Sequence, residues 1–229
     1  MVLINFFVIR FNGTPVAIPE VPRQPQIFGD TEQQLTYVVM GDSTSVGQGA
    51  QYANSIATLS AERLATEHRV TLINVGVSGA RAKDVLGEQT PKATEHRPDV
   101  VLLSVGANDV THLTSLNNFE TSLRVIVAKL KENNSDVKII VTGSPDMGSI
   151  SRFPWPARQI AGLRTTQINR IVTSIVEDNE LIFAQIAAET GSSFRNDPNL
   201  FASDKFHPNA RGYALWAEVI NKAIQAELR

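Results

Sequence analysis

The sequence of 229 residues contains no cysteine. This absence excludes a disulfide framework, a thiolate nucleophile and any metal site with cysteine ligands. It does not assign a compartment, because a chain without cysteine is compatible with reducing and with oxidising surroundings. The chemistry of this protein has to be sought in other side chains.

The sequence also lacks an excess of charge of one sign. Lys and Arg total 21 against 23 Asp and Glu, which leaves a net charge of -2, and charged residues make up 19% of the chain. Without a basic field to hold phosphate groups, we do not expect nucleic acid as a partner. Hydrophobic residues make up 42%, which is enough for one large core, and no linker or internal repeat divides the chain.

No apolar run is long enough to span a bilayer. Residues 1–9 are apolar, but the run stops at Arg10, far short of the ~20 residues that a transmembrane helix needs. The segment has neither a basic leader nor a small-residue cleavage site. Two interpretations are open, the end of a truncated anchor and a segment packed on the domain surface, and membrane contact is expected only through this segment. The location is correspondingly open between the cytoplasm and, for an anchor remnant, secretion or the cell envelope.

Prolines are concentrated near the N-terminus, at positions 15, 19, 22 and 25. Proline removes backbone donors and favours extended structure, so this stretch is predicted to be a tether or strap. We expect residues 1–34 to form an N-terminal extension and residues 35–229 to form the functional domain.

From residue 35 onward, short apolar runs alternate with longer amphipathic segments. The predicted strands are Leu35–Met40, Val70–Val75, Val100–Val105, Val137–Thr142 and, more weakly, Leu181–Ala184. Helical spacing of apolar residues covers 56–65, 119–130, 160–175 and 210–228. This alternation predicts an α/β fold with a parallel sheet of about five strands and helices on both faces, because right-handed crossovers place the helices over the sheet.

Polar, glycine-bearing loops follow the first three predicted strands. They carry Gly-Asp-Ser-Thr at 41–44, Ser-Gly at 78–79 and Gly-Ala-Asn-Asp at 106–109. Ligands bind beyond the carboxyl ends of the strands in an open parallel sheet, so these loops are expected at one edge. Near the C-terminus, Asp204 lies three residues before His207, a spacing at which the two side chains can form one hydrogen-bonded unit that completes a triad with Ser43. Together they predict a serine hydrolase.

Four sequence blocks, in this order, resemble those of the SGNH hydrolases, also called the GDSL esterase/lipase family. The blocks contain Ser43 in Gly-Asp-Ser, Gly79, Asn108 in Gly-x-Asn-Asp and His207 in Asp-x-x-His-Pro. The resemblance covers roughly residues 36–225. It implies a flavodoxin-like three-layer α/β/α fold in which Ser43 is the nucleophile and Asp204 and His207 complete the triad. Thr44 departs from the pattern, since the family name has leucine there.

Each member of the triad has a physical role and an alternative. The Ser43 hydroxyl needs a base, which we assign to His207, while Asp204 fixes the imidazole tautomer and stabilises the imidazolium. Alternatively, Ser43 caps a helix that begins near residue 46, Asp204 only forms a turn, and His207 caps the terminal helix. His112, close after Asn108, is a further candidate base.

Ester hydrolysis also needs donors for a tetrahedral oxyanion. The backbone N–H groups of Ser43 and Gly79 and the side-chain amide of Asn108 are the predicted donors of this oxyanion hole. The alternatives are a turn glycine at position 79 and an asparagine that ties two loops together. Asp42 and Asp109 are expected to fix loops by accepting backbone N–H bonds.

These observations predict a serine esterase that acts on a small-molecule ester, with short acyl chains favoured because no hydrophobic lid is visible. No metal or organic cofactor is expected. Carbohydrate acetylesterase, lysophospholipase and thioesterase activities stay open within the family, and a phosphate- or nucleotide-binding module on the loop 41–49 is an alternative of a different class. Substrate-binding residues and oligomeric state are not assigned, although Met147, Phe153 and Trp155 can line an apolar wall.

Overall fold

The computed structural model describes residues 13–227, and the apolar segment 1–9 lies outside the described residues. A single sheet forms the centre of this part of the chain. Its strands are β1 (Gln26–Phe28), β2 (Gln34–Gly41), β3 (Arg69–Asn74), β4 (Val100–Ser104), β5 (Lys138–Val141) and β6 (Ile182–Phe183). The strand order is β1-β3-β2-β4-β5-β6.

Helices lie in the connections between the strands from β2 onward and after β6. They are α1 (Ile56–Leu64), α2 (Ala82–Asp84), α3 (Thr90–Glu95), α4 (Ala107–Thr111), α5 (Leu116–Asn133), α6 (Ala157–Asn179), α7 (Ile186–Asn196) and α8 (Ala210–Glu227). A wider π-type turn (Val85–Gln89) joins α2 to α3, and short 3-10 turns lie at Tyr52–Asn54, Met147–Ser149 and Pro198–Leu200.

Strands β2 to β6 are parallel, and β1 pairs antiparallel with β3 at the edge. The order of the parallel strands is that of flavodoxin-like folds, in which the connections reverse direction between the first and third parallel strands. Here that reversal lies between β2 and β4. The predicted α/β fold with five parallel strands is confirmed, and the structure adds the antiparallel edge strand β1.

The burial of the central strands explains why their apolar sequences predicted them. Every residue of β4 is buried, and β2 is almost fully buried, with Tyr37 and Met40 among the largest enclosed side chains. Continuous apolar runs are typical of parallel strands that are covered on both faces. Strand β1 was not predicted, because it is only three residues long and Ile27 at its middle is exposed. It lies within the predicted N-terminal extension, whose boundary at residue 35 stays a prediction.

Two layers of helices enclose the sheet. Helices α1 and α7 pack against α8, whereas α5 packs against α3 and α6. The three-layer α/β/α architecture is thereby confirmed. Within the described part of the chain, none of the helices combines the length and the hydropathy that crossing a bilayer requires.

Candidate active site

The site begins where β2 ends, at Gly41. This glycine has a φ of +140°, and a Cβ on it would lie 2.0 Å from the carbonyl oxygen of Ser104 on β4. The side chain of Gln89, from the π-type turn, forms two hydrogen bonds with the same residue: it accepts from the Gly41 N–H and donates to the Gly41 carbonyl, each at 2.8 Å. Only glycine fits this close approach, and the strand end that precedes Ser43 is held on both sides.

Ser43 lies on a turn, which we call the serine turn (residues 41–49), and not at the start of a helix. Its carbonyl accepts from the N–H of Gln48 at 2.9 Å, and α1 begins only at Ile56. Gly47 and Gly49 take φ values of +75° and +102°, a conformation that interrupts a right-handed helix. The expected helix near residue 46 is therefore wrong, and Ser43 does not cap one.

The structure brings Ser43, His207 and Asp204 into one hydrogen-bonded chain. Nδ1 of His207 lies 2.6 Å from Oδ2 of Asp204, and Nε2 lies 3.0 Å from Oγ of Ser43. Because an ionised carboxylate only accepts, Nδ1 carries the proton and leaves Nε2 free to accept the serine hydroxyl proton. This is the arrangement of an activated serine nucleophile with its base and the group that orients the base.

Asp204 is buried and saturated with donors. Its second oxygen, Oδ1, accepts the backbone N–H groups of Phe206 and His207, both at 3.0 Å. Burial by itself raises the pKa of the Asp204 carboxyl, but the hydrogen bond and charge of His207 and the two backbone donors outweigh it, so the net pKa lies below its usual value. The ionised form of Asp204 is therefore favoured, and it is this form that accepts the Nδ1 proton of His207 in a hydrogen bond.

Asp204 and His207 belong to a short loop, the acid–histidine loop (residues 201–208). Phe201 and Pro208 form an antiparallel bridge across it, and the N–H of Ala202 donates to the His207 carbonyl at 2.8 Å. Helix α8 is capped by Asn209, whose Oδ1 accepts the N–H groups of residues 211 and 212. The alternative in which His207 caps the terminal helix is therefore wrong.

One residue that the sequence analysis missed joins the two segments. Gly49 is so close to the acid–histidine loop that a Cβ on it would lie 2.4 Å from the Pro208 carbonyl oxygen and 2.9 Å from Cβ of His207. The serine turn can approach the histidine only because position 49 has no side chain. Two glycines at alternate positions, 47 and 49, were the available signal, but glycine after a strand is also an ordinary turn residue.

The predicted oxyanion donors differ in their surroundings. The N–H groups of Ser43 and Gly79 have no hydrogen-bond acceptor among residues 13–227, and Gly79 has a φ of +86° beside open space. Nδ2 of Asn108 donates to the Ala80 carbonyl at 3.1 Å and, at a longer 3.4 Å, to Oδ2 of Asp42. Asn108 thus ties two loops together, as its alternative role requires. Its part in an oxyanion hole, like those of Ser43 and Gly79, stays a prediction.

Thr44 takes part in a buried polar network beneath the serine. Its hydroxyl donates to Oδ1 of Asp42 and contacts the hydroxyl of Ser104, both at 2.8 Å, and Ser104 in turn accepts from Thr142 at 3.2 Å. The Asp42 carboxylate also accepts the N–H of Thr44. Burial raises the pKa of Asp42 to about 6, although these bonds oppose the shift. A leucine at position 44 would leave Asp42 and Ser104 without this hydroxyl partner.

The remaining candidates have positions away from the triad. His112 follows the last turn of α4, and its Nδ1 lies 2.8 Å from the Asn108 carbonyl, whereas the imidazole beside Ser43 is that of His207. Oδ2 of Asp109 accepts the N–H of Ala82 at 3.0 Å, which is the loop-fixing contact that was expected. Within residues 13–227, acidic and histidine side chains form no group of three that could hold a metal ion.

A small cavity of about 30 Å³ opens beside Ser43 and His207. Its apolar wall comes from several distant parts of the chain and consists of Met147, Ile150, Phe194, Phe201, Phe206 and Trp216. Of the three predicted wall residues, only Met147 lines it. Phe153 packs edge-on against Phe206, with ring centroids 5.9 Å apart, and Trp155 is 77% exposed. The wall residues on helices were indistinguishable in the sequence from ordinary core positions.

The chain is similar in sequence to several known esterases. The chain is 30% identical over 197 residues to the GDSL-like esterase Rv1075c of Mycobacterium tuberculosis, covering 83% of this chain and 62% of that protein. It is 24% identical over 171 residues to an acetylxylan esterase of Geobacillus stearothermophilus, covering 69% of this chain and 74% of the relative. The chain spans less than two thirds of the mycobacterial esterase and 17% of a multidomain esterase of Ruminococcus flavefaciens that it also matches.

Solved structures agree on the fold. The lipase Lip_vut3 from a goat rumen metagenome superposes with a TM-score of 0.69 at 18% identity, covering 85% of this chain and all of that one. A sequence profile of the GDSL-like lipase/acylhydrolase family matches residues 39–215, which contain all four motif blocks. The domain is that of a carboxylic ester hydrolase, and the chain belongs to the GDSL-like lipase/acylhydrolase family.

Proposed function

We propose that the protein is a serine esterase that hydrolyses carboxylic esters of short acyl chains through an acyl-enzyme on Ser43. The observation that carries the proposal is the continuous hydrogen-bonded chain from Ser43 through His207 to Asp204. A serine hydroxyl is a weak nucleophile at neutral pH, and a neutral imidazole nitrogen at 3.0 Å is placed to remove its proton during attack.

The reaction then proceeds in two acyl transfers. Oγ of Ser43 attacks the acyl carbon while Nε2 of His207 takes the proton, and the carbonyl oxygen becomes an oxyanion. The imidazolium, stabilised by Asp204, protonates the departing alcohol as the C–O bond breaks. Water enters, gives a proton to Nε2 and attacks the acyl-enzyme, and the proton returns to Oγ as the acid leaves. Free N–H groups at Ser43 and Gly79 support their assignment as donors to the oxyanion, and loss of one such donor typically costs about 2.7–4 kcal/mol of transition-state stabilisation.

The size of the cavity supports a short acyl group. The cavity volume of about 30 Å³ is well below the ~150 Å³ of an engineered apolar cavity that holds benzene, so the space beside Ser43 is narrow. The cavity is closed by large side chains, among them Phe194, Phe201 and Trp216, which pack edge-on or tilted against their neighbours. A long acyl chain would have to displace these rings, which is costly in a packed interior. Lysophospholipase or long-chain thioesterase activity is accordingly disfavoured.

Carbohydrate acetylesterase activity is the second candidate. It is favoured by the same small cavity, which suits an acetyl group, and by the acetylxylan esterase among the relatives. The phosphate-binding alternative is disfavoured. It needs a helix N-terminus directly after the loop 41–49, whereas α1 begins only at Ile56.

The first test is nitrophenol release from a series of p-nitrophenyl esters, from acetate to palmitate, by the native chain and by Ser43→Ala. We expect the native rate to be highest for acetate and to fall as the chain lengthens. Loss of one triad member typically lowers kcat by about 10⁴–10⁶-fold, so turnover should be nearly absent in Ser43→Ala, with its circular dichroism unchanged. Equal rates in the two proteins would refute the mechanism.

The alcohol side of the substrate needs its own assay. Acetate release from acetylated xylo-oligosaccharides, compared with p-nitrophenyl acetate, tests the second candidate. A higher kcat/KM on the sugar ester would assign carbohydrate acetylesterase activity. Turnover of the aryl ester alone would limit the proposal to small acyl esters.

A further inference from the structure

Residues 13 and 14 lie directly against the acid–histidine loop. The N–H of Thr14 donates to the Ser203 carbonyl at 3.0 Å, and the Ser203 hydroxyl donates to the Thr14 carbonyl at 3.4 Å. A Cβ on Gly13 would lie 2.3 Å from the carbonyl oxygen of Asp204. These contacts join the N-terminal stretch to the backbone of the triad acid itself.

The same stretch reaches the serine turn through Gln48. Its Nε2 donates to the Val16 carbonyl at 3.4 Å, and its Oε1 accepts the hydroxyl of Ser78, the residue before Gly79, at 2.7 Å. The N–H of Gln48 donates to the carbonyl of Ser43. One glutamine therefore connects residue 16 to the nucleophile and to the loop of a predicted oxyanion donor.

Between these contacts and β1, residues 13–25 form no regular secondary structure, and we call them the proline strap. Most of their side chains are exposed, so burial contributes little to holding them in place. Four prolines, at 15, 19, 22 and 25, restrict the backbone. Proline-rich segments act as semi-rigid spacers of about 3.1 Å per residue, and such stiffness lowers the entropy that docking costs. The far end of the strap is fixed where Gln26–Phe28 pair with β3.

We infer that the proline strap is a positioning element for Asp204. Its residues 13 and 14 hold the backbone of Ser203 and Asp204, in addition to the hydrogen bonds within the acid–histidine loop. The inference rests on the proposed function of Asp204 as the group that orients His207. Its physical reason is that the carboxylate must stay within hydrogen-bond distance of Nδ1, now 2.6 Å, for the imidazole to face the serine. A displacement of about 1 Å in such a group can cost about 10²-fold in rate.

Position 14 offers a matched pair of variants. Thr14→Pro removes the N–H that donates to Ser203, whereas Thr14→Ala keeps the backbone donor and changes only an exposed side chain. Gly13→Val is the independent steric variant, because its Cβ must push the Asp204 carbonyl away. None of the three alters the core, and circular dichroism with thermal unfolding checks that each one folds.

We expect Thr14→Pro and Gly13→Val to lower kcat for p-nitrophenyl acetate about tenfold, with KM within about twofold of the native value. Thr14→Ala should match the native protein. The readout specific to positioning is a double-mutant cycle with Asp204→Ala. If the strap acts through this carboxylate, Thr14→Pro costs nothing further once the carboxylate is gone.

Hydrogen exchange provides a readout that does not depend on turnover. Thr14→Pro should speed the exchange of backbone amides in residues 202–207 and leave those of α8 unchanged. Unchanged exchange in this loop would overturn the inference whatever the activity. The inference would likewise be overturned if Thr14→Pro and Thr14→Ala had the same kcat. It would also be overturned if Thr14→Pro lowered kcat as much in Asp204→Ala as in the native protein. Failure of the proposed function is distinguishable, because it shows as native turnover in Ser43→Ala.

Discussion

The serine turn and the acid–histidine loop meet at one hydrogen bond, but they are held in different ways. The serine turn continues a buried central strand, and its first residue is hydrogen bonded by Gln89 and flanked by β4. The acid–histidine loop lies between two helices and is held by its own short hydrogen bonds and by the proline strap. Ser43 is thus positioned by the core of the domain, whereas His207 and Asp204 depend on a few local contacts.

This difference has a thermodynamic consequence. A change at the buried first residues of the serine turn removes hydrogen bonds from enclosed groups, so it should appear mainly as a loss of global stability. A change in the acid–histidine loop should appear mainly as a loss of turnover in a protein that still unfolds at nearly the native temperature. The following variants are ordered from the largest expected effect to the smallest.

Asp204→Asn breaks the acid–histidine loop at its central contact. The amide cannot take the role of the carboxylate, so the imidazole tautomer that accepts from Ser43 is no longer favoured, and we expect kcat to fall about 10⁴-fold. Steady-state kinetics with p-nitrophenyl acetate measures the loss. Asp197→Asn is the control, since Asp197 caps a neighbouring turn without contacting His207. A loss below about tenfold would contradict the assigned role of Asp204.

Gln89→Met tests the core support of the serine turn. Methionine is close to glutamine in size, but it removes the acceptor of the Gly41 N–H and one of two donors to the Gly41 carbonyl, which keeps the N–H of Val77 at 3.0 Å. An unsatisfied buried donor costs about 1–3 kcal/mol, so the free energy of unfolding should fall by about that amount in urea titrations. Glu88→Gln, an exposed neighbour, should stay within about 0.5 kcal/mol. A native stability for Gln89→Met would show that the strand end does not need these bonds.

Gly49→Ala tests the contact between the two regions. The new Cβ meets the Pro208 carbonyl oxygen, and position 49 has a φ of +102°, so we expect strain of about 1–3 kcal/mol. Because the strain acts at the interface with His207, kcat should fall together with the unfolding temperature. Gly87→Ala is the matched control, since a Cβ there meets no atom within 4 Å. Unchanged kcat in a destabilised Gly49→Ala would mean that the two regions are mechanically independent.

Asp42→Asn tests whether the buried carboxylate in the serine turn makes the stability of the protein depend on pH. The pKa of Asp42 is raised from 3.8 to about 6 in the folded protein, so the ionised carboxylate opposes folding. This penalty is fully present above the folded pKa and decreases as the pH falls through about 6 towards 3.8. Relative to the native protein, Asp42→Asn should therefore be favoured most near neutral pH, with the difference shrinking in acid. Thermal unfolding of both proteins across this range measures it, and a pH-independent difference would contradict the shift.

Much of the fold and the triad could be predicted from the sequence. Buried parallel strands leave continuous apolar runs, so the five parallel strands were readable, as were α1 and α8. Ser43, Asp204 and His207 could be predicted because they lie in two short motifs, Gly-Asp-Ser and Asp-x-x-His-Pro. A serine triad requires these residue types. The helix expected after Ser43 was wrong, since the positive φ of Gly47 and Gly49 is a conformational choice that the sequence permits without requiring it.

The sequence by itself determined the layer architecture and the residues to which we assign the chemistry, because both follow from short patterns of residue type. The tertiary structure alone decided how those residues are held. Gln89 lies 48 positions from the glycine that it supports, Gly49 meets a loop near the other end of the chain, and the cavity wall is gathered from separate helices and loops. These contacts leave no periodic or motif signal, since they depend on the distance between segments that only the folded sheet brings together.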